Sequence, residues 1–391
     1  MSASWEAITV EVGLLTTMAA YAIFVGADFG GGIWDLLAGS TERGARPREE
    51  IDRSVTPVWE GNQVWIVLGL VLLWTGFPAA FKAVMTALFV PLALSLLGLL
   101  LRGVGFAFRH ESAKLRTQQL NGVLFGAASL IAPFFLGAAV GAVATGRVTP
   151  HPGGNVPDAW LAPTPLLTGA LFVATSAYIG AVFLVGDAHH RNRSDMVDYF
   201  SRRALVAGGV TGLLAAANFA LLHWSAPYVF GRLIGPALPL VLASVLCGGA
   251  ALGLVVLERP WLLRLTAGGA VVTVIAAWGV AQYPWLLPTS LDLRAGSAPI
   301  ASLRTEIAVL GMAAVLVVPS FAYLYWLQQH GRLGVTEPSE QLRRAVRAEQ
   351  RAESAPATRR SGARLVSAVV TTAAGVVLLR DVFRRGRGRA G

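Results

Sequence analysis

The stretch TVEVGLLTTMAAYAIFVGADFGGGI, residues 9–33, is long and apolar enough to cross a lipid bilayer as one helix. A spanning helix needs about 20 mostly apolar residues, and eight further runs meet that requirement. The nine runs cover roughly residues 9–33, 57–77, 79–101, 120–145, 164–186, 204–224, 235–256, 262–281 and 305–327. The pattern predicts an all-α polytopic membrane protein with about nine transmembrane helices.

The composition also indicates a membrane protein. The chain has 391 residues, of which 54% are hydrophobic and 14% charged, and its mean hydropathy is +0.59. These values exclude an ordinary soluble domain. The net charge of +10 does not indicate a nucleic-acid partner, because the basic residues lie between the apolar runs and in the C-terminal tail.

The distribution of basic residues predicts the orientation in the membrane. With the N-terminus outside, the inner loops hold fourteen Lys and Arg residues and the outer loops hold five, and thirteen more follow from Arg332 onward. Because cytoplasmic loops are enriched in Lys and Arg, we expect an outer N-terminus and a cytoplasmic C-terminal tail.

The sequence divides into a transmembrane domain, residues 1–331, and an Arg-rich tail, residues 332–391. Within the tail, LVSAVVTTAAGVVLL (365–379) is short for a span, so an interfacial helix is favoured over a tenth crossing. AYAIFVGAD (20–28) resembles AYIGAVFLVGD (177–187). This internal similarity favours two four-helix bundles plus one extra helix.

Three ionisable residues fall within or beside the apolar runs: Asp28, Glu60 and Arg102. Such groups are rare at membrane depth and tend to mark proton or ion paths. The predicted topology places all three near the same membrane face, where an Arg would offset two acids. A proton-conducting site and a structural salt bridge both fit, and Asn62 and Gln63 beside Glu60 favour the first.

Other residues of these segments have predicted packing roles. Gly26, Gly30 and Gly32 would let neighbouring helices approach closely. Trp59 is expected to pack or to belong to an interfacial aromatic belt. Pro78 is expected to interrupt or kink the third helix.

Histidine placement argues against a heme site in this chain. All six His residues fall in predicted loops or at helix ends, whereas a heme within the bilayer needs axial ligands that face it from helices. The helix interiors otherwise offer only a few candidate sulfur ligands, Met18, Met85, Met312 and Cys247. We therefore expect no heme, other cofactor or metal to be bound by this chain alone.

Several motifs together resemble a known family. They are GADFGGGIWDLLAG, VWEGNQVW, FPAAF, LRGVGFAFRH, QYPWLLPTSL and VPSFAYLYW. In this order and spacing they resemble subunit II of cytochrome bd-type quinol oxidases, along most of residues 10–330, and most closely the shorter, cyanide-insensitive style. Two positions depart from the family pattern: Glu60 stands where many members have Asp, and Val25 where many have a second acid.

The resemblance implies a heterodimer in a bacterial inner (plasma) membrane. Subunit I would hold two b-type hemes and a d-type or substituted b-type heme, oxidise quinol from the quinone pool and reduce O2 with protons from the cytoplasm. Subunit II would brace subunit I, with Glu60 and Asp28 relaying protons, Arg102 stabilising their charge and Arg109 anchoring the inner loop. The resemblance also allows a small single-helix accessory subunit.

Two other functions remain open from the residues alone. A secondary transporter could use the same buried acids to bind a coupling ion. A scaffold without a catalytic partner is the third possibility.

Overall fold

A computed structural model describes residues 3–39, 44–111, 115–257, 259 and 262–329, without the side chains of residues 109–111 and 115–119. The tail 332–391 and its apolar segment 365–379 lie outside the described residues. The chain forms two compact units, and everything below concerns the first, residues 1–106 and 121–336, except where residues 107–120 are named.

Helices make up nearly all of the described structure. In chain order the elements are α1 (Trp5–Leu36), α2 (Ala45–Val55), α3 (Trp59–Asn62), α4 (Val64–Gly76), α5 (Pro78–Ala87), α6 (Phe89–Glu111), α7 (Leu115–Ala144), α8 (Pro157–Trp160), α9 (Pro163–His190), α10 (Ser194–Ser225), α11 (Pro227–Leu233), α12 (Leu238–Val256), α13 (Leu263–Gln282), β1 (Trp285–Leu287), β2 (Leu291–Asp292), α14 (Leu293–Gly296) and α15 (Ile300–Gln329). The two strands pair as a short antiparallel hairpin.

Within the described ranges, eight helices are long and apolar enough to cross a membrane. They are α1, α6, α7, α9, α10, α12, α13 and α15. A ninth span results if α2 and the segment Trp59–Gly76, which meet at a bend of 59°, count as one. Many large apolar side chains point outward, as expected of residues that face lipid. Leu213, Leu246 and Val315, for example, are 71–72% exposed. The predicted all-α polytopic fold is confirmed.

The segment that contains Pro78 differs from the prediction. Pro78 occupies the first turn of α5, where its missing N–H costs no helical hydrogen bond, and the chain breaks again at Leu88 before α6 begins. Because α6 runs on to Glu111, Arg102 lies inside this helix and not at its end. The predicted run 57–77 is likewise divided, at Gln63 between α3 and α4.

The first helix occupies the centre of the described unit, in contact with α2, α3, α4, α9, α13 and α15. Its closest neighbour is α9, because a Cβ atom on Gly30 would lie 2.1 Å from the carbonyl oxygen of Ser176 and 2.7 Å from Cα of Gly180. The two backbones therefore touch. These are the two helices that share the internal sequence similarity; the arrangement in two four-helix bundles plus one helix stays a prediction.

Two apolar clusters pack around opposite ends of α1. The first surrounds its C-terminal end, which we call the Asp28 end, and includes Trp34, Phe106 and Phe125. The second surrounds its N-terminal end, the Glu6 end, and includes Val10 and Phe77. The polar residues considered below are buried near the first cluster.

Candidate functional site

Asp28 lies on α1, eight residues before the helix ends, and is only 3% exposed. Its Oδ2 accepts a hydrogen bond of 2.9 Å from Nδ2 of Asn62 on α3. Oδ1 of Asn62 accepts a hydrogen bond of 3.1 Å from the hydroxyl of Tyr325 on α15. Three helices that are distant in the chain thus meet at one buried carboxyl group.

Arg102 is also buried, and only 2% of it is exposed. Its guanidinium carbon lies 5.2 Å from the ring centre of Phe29 and 5.1 Å from that of Phe125. Nε donates to Oγ of Ser129 over 3.3 Å, while Nη2 has no acceptor among the described residues. Arg102 and Asp28 attract each other electrostatically, so the buried acid has a compensating charge nearby.

At two of the three predicted glycine positions, a neighbouring atom lies too close for any larger residue. A Cβ on Gly32 would lie 2.1 Å from Oγ of Ser129, the atom that Arg102 contacts, and Gly30 touches α9 directly. Gly26 is different, because its nearest neighbour would be Oγ of Ser176 at 3.8 Å, an ordinary contact distance.

Glu60 does not join the buried pair. Its side chain is exposed on α3, and no hydrogen bond or ion pair joins it to another described residue, whereas Asn62 two positions later is fully buried. Trp59 is half-buried, with its ring centre 5.2 Å from that of Phe106. The structure thus brings together two of the three predicted charges and leaves Glu60 on the surface of the chain.

The remaining predicted residues lie elsewhere. Pro78 lies at the Glu6 end. Two residues before it, the backbone carbonyl of Gly76 accepts a hydrogen bond from the backbone N–H of Ala298. Arg109 lies in the last turn of α6, with its side chain outside the described part.

A small cavity of about 30 Å³, with both polar and apolar residues in its lining, borders Asp28. Its polar lining consists of Asp28, Asp187, Arg264, Tyr325, Gln328 and Ser54. Nη2 of Arg264 donates to Oδ1 of Asp187 and, over 2.8 Å, to the carbonyl of Phe183. We call this the Asp28 cavity.

A chain of polar contacts leads away from the Asp28 cavity, through Gln328 and Ser54 to Arg191. Nε2 of Gln328 donates to the carbonyl of Ser54 over 2.7 Å, and Nη1 of Arg191 donates to Oγ of Ser54 over 3.1 Å. Arg191 also pairs with the fully buried Glu50, which accepts a second bond of 2.9 Å from Arg193. Both arginine side chains are partly exposed, so these contacts lead from solvent to the cavity.

The sequence analysis did not single out Asp187, Arg264 or Tyr325 as site residues. One signal for Asp187 was present, because the segment AYIGAVFLVGD, which resembles the segment ending at Asp28, itself ends at Asp187. Tyr325 had a weaker signal, because it lies in the motif VPSFAYLYW, where nothing in the sequence distinguishes it from the other aromatic residues.

Two cavities in the described part of the chain lack the histidine ligands that a heme uses. A second cavity, about 610 Å³, lies between α1 and α13 and is almost wholly apolar, with Glu11 and Arg232 as its charged lining. No histidine lines either cavity, and the described ranges contain no group of three or more His, Cys, Asp or Glu residues that could hold a metal.

Comparison with known proteins gives a consistent result. The family profile described as cytochrome bd terminal oxidase subunit II matches residues 8–328. The cytochrome bd-I ubiquinol oxidase subunit 2 of Escherichia coli K12 is 25% identical over 366 residues, covering 82% of this chain and 93% of the relative. A putative cytochrome bd menaquinol oxidase subunit II of Bacillus subtilis is 20% identical over 317 residues, covering 78% and 90%.

The fold has a counterpart among solved structures as well. A chain in the structure of bd oxidase from Geobacillus thermodenitrificans superimposes with a TM-score of 0.66 at 20% identity, covering 82% of this chain and 98% of that one. With a family profile that matches nearly all of its membrane domain, the chain belongs to the cytochrome bd terminal oxidase subunit II family.

Proposed function

We propose that this chain is the subunit II of a respiratory quinol oxidase, in which a partner subunit I carries the hemes and quinol oxidation is coupled to O2 reduction to water. Family membership supports the assignment to the complex. Placement of the hemes in the partner is part of this proposal, and it agrees with the absence of histidine from the lining of the two cavities in the described part. When bound there, the hemes supply the electron transfer to O2.

Within the complex, this subunit conducts protons through Asp28. The observation that carries this proposal is the burial of Asp28 among fixed partners, Asn62 on one carboxyl oxygen and Arg102 nearby. A carboxyl group inside a membrane domain is costly and tends to mark a proton or ion path. Asn62 orients the acid, and Arg102 stabilises its ionised form.

Glu60 extends this path beyond the chain. It is exposed on α3, two residues from Asn62, so its carboxyl group is available to a partner rather than to this subunit's own core. We assign this surface to subunit I, with Glu60 as the group that passes protons across the interface. Arg109, in the last turn of α6, anchors the loop that follows this helix.

The charge distribution orients the path. Lys and Arg are concentrated in the predicted loops of the Asp28 end and in the tail, which supports a cytoplasmic location of that end and an outer N-terminus. Protons then enter from the cytoplasm of a bacterial cell, through its inner membrane. A small accessory subunit is compatible with this arrangement.

The proposal is tested with Asp28→Asn and Glu60→Gln in the purified complex. Each variant keeps the shape of the side chain and removes the proton-carrying group, so we expect O2 consumption to fall by about tenfold or more with unchanged heme absorption. Glu6→Gln is the control, because Glu6 is also a buried acid of α1 but lies at the opposite end, paired with Arg304. Loss of hemes would identify a structural role, and full turnover would exclude a relay.

A secondary transporter is not favoured, since the family is that of a terminal oxidase subunit. Copurification of a heme-bearing partner with this chain would support the oxidase assignment directly.

A further inference from the structure

Two carboxyl groups from different helices border the Asp28 cavity. Asp28 is on α1 and Asp187 is on α9, and the backbone contact at Gly30 and Gly180 holds these helices together next to the acids. Asp187 is bound through one oxygen only: Oδ1 accepts from Arg264, and Oδ2 has no donor among the described residues. One oxygen of a second acid is therefore free for other contacts beside the cavity.

The cavity has the volume and lining that water needs. A volume of about 30 Å³ exceeds the ~10–15 Å³ that one water molecule requires. Asp28, Asp187, Arg264, Tyr325 and Gln328 supply the polar groups that such a water must contact. Water in this space would lie beside both acids.

The two acids differ in burial. Asp187 is 9% exposed and lies three residues from the end of α9, whereas Asp28 is 3% exposed and lies eight residues from the end of α1. Asp187 is thus the more accessible of the two acids, and Ser54 and Arg191 continue the polar contacts from the cavity.

We propose that Asp187 is the proton donor to Asp28, which makes the Asp28 cavity the entry to the path; this rests on the proposed function. The protonated carboxyl of Asp187 gives its proton to cavity water, and that water gives a proton to the Asp28 carboxylate. After the transfer Asp28 is neutral and Asp187 is an anion beside the Arg264 cation. Asp187 recovers a proton from the aqueous side past Ser54.

Arg264 and Tyr325 are positioning residues in this scheme. Arg264 fixes one oxygen of Asp187 and is itself held by the carbonyl of Phe183. Tyr325 lines the cavity and, through Asn62, orients Asp28. A purely structural Asp187–Arg264 ion pair would affect stability but not the rate of proton uptake.

The test uses the assembled oxidase with Asp187→Asn. We expect proton uptake, followed with a pH-sensitive dye after an O2 pulse, and kcat for O2 consumption both to fall by about tenfold or more. The KM for quinol and the heme spectrum should stay unchanged. Asp187→Glu, which keeps the acid, should recover most of the rate, and Glu6→Gln at the opposite end should behave as wild type.

The outcomes separate this inference from the function on which it rests. If Asp28→Asn is slow while Asp187→Asn takes up protons at the full rate, the entry assignment is overturned and the proposed function survives. If both variants run at the full rate, the proposed function fails as well. Should Asp187→Asn not assemble, the double variant Asp187→Asn with Arg264→Gln removes both charges together; slow uptake then supports the inference, and normal uptake overturns it.

Discussion

Asn62 and Asp28 are joined by a hydrogen bond of 2.9 Å across 34 positions of the chain. Asn62 is the last residue of α3, directly before the break at Gln63 that separates α3 from α4. The amide that orients the buried acid thus lies at the end of a four-residue helix, two residues before the first long apolar stretch of this segment.

The first prediction concerns this amide. Asn62→Leu removes the donor to Asp28 and the acceptor for Tyr325, which leaves buried polar groups unpaired at a cost of about 1–3 kcal/mol. We expect a lower melting temperature of the complex and slower O2 consumption. Tyr325→Phe removes only the second bond and should cost about 0.5–1.5 kcal/mol. If Asn62→Leu and Tyr325→Phe lower the melting temperature by the same amount, the hydrogen bond between Asn62 and Asp28 contributes nothing to stability.

The second prediction distinguishes charge from stacking at Arg102. Arg102→Ala removes the buried cation near Asp28, and breaking a buried charge pair costs about 3–5 kcal/mol, so we expect little assembled complex. Arg102→Lys keeps the charge but not the planar contact with the rings of Phe29 and Phe125. Its yield of assembled complex, measured by heme content, should be intermediate. A fully assembled and active Arg102→Ala complex would contradict a charge-compensating role.

The third prediction compares two glycines of one helix. Gly32→Ala would bring its methyl group to 2.1 Å from Oγ of Ser129, so the neighbouring helix must shift. Overpacking of this kind costs about 1–3 kcal/mol, and because Ser129 contacts Arg102, turnover should fall too. Gly26→Ala is the matched control, since its new methyl group meets nothing closer than 3.8 Å. Equal stability of the two variants would show that the contact at Gly32 relaxes without cost.

The fourth prediction concerns Glu306, whose two carboxyl oxygens are both buried and make no hydrogen bond of normal geometry with the described residues, Thr75 being the polar side chain that interacts with them. An unsatisfied buried polar group costs about 1–3 kcal/mol, so Glu306→Met should leave the thermal stability unchanged or raise it. Glu6→Met, at the same end, should lower it, because Glu6 accepts a hydrogen bond of 3.2 Å from Nε of Arg304 and forms an ion pair with the same guanidinium. A large loss of stability in Glu306→Met would mean that Glu306 has a partner outside the described residues.

The membrane spans could be predicted from the sequence because the thickness of the bilayer imposes a minimum apolar length on each helix. The break at Leu88 could not, since apolar residues continue on both sides and the hydropathy pattern does not change. The extension of α6 past Arg102 escaped prediction for a related reason: a charged residue inside a helix looks like the end of the span.

The common location of Asp28 and Arg102 followed from their predicted depth alone. Depth, however, does not determine which way a side chain points around its helix. Glu60 and Asn62 are two positions apart on α3, and residues at that spacing face different directions, so one is buried and the other exposed. Asp187 escaped attention because it precedes a basic loop, where an acid is unremarkable in sequence.

The backbone contact between Gly30 and Gly180 has a consequence for how the protein responds to its lipid environment. Helices that meet through long side chains can slide or tilt when the bilayer becomes thinner or thicker. Here no side chain lies between the two backbones, so neither helix can tilt without separating from the other. The spacing between Asp28 and Asp187 is thus set by the polypeptide itself, and it should be the same in membranes of different acyl-chain length.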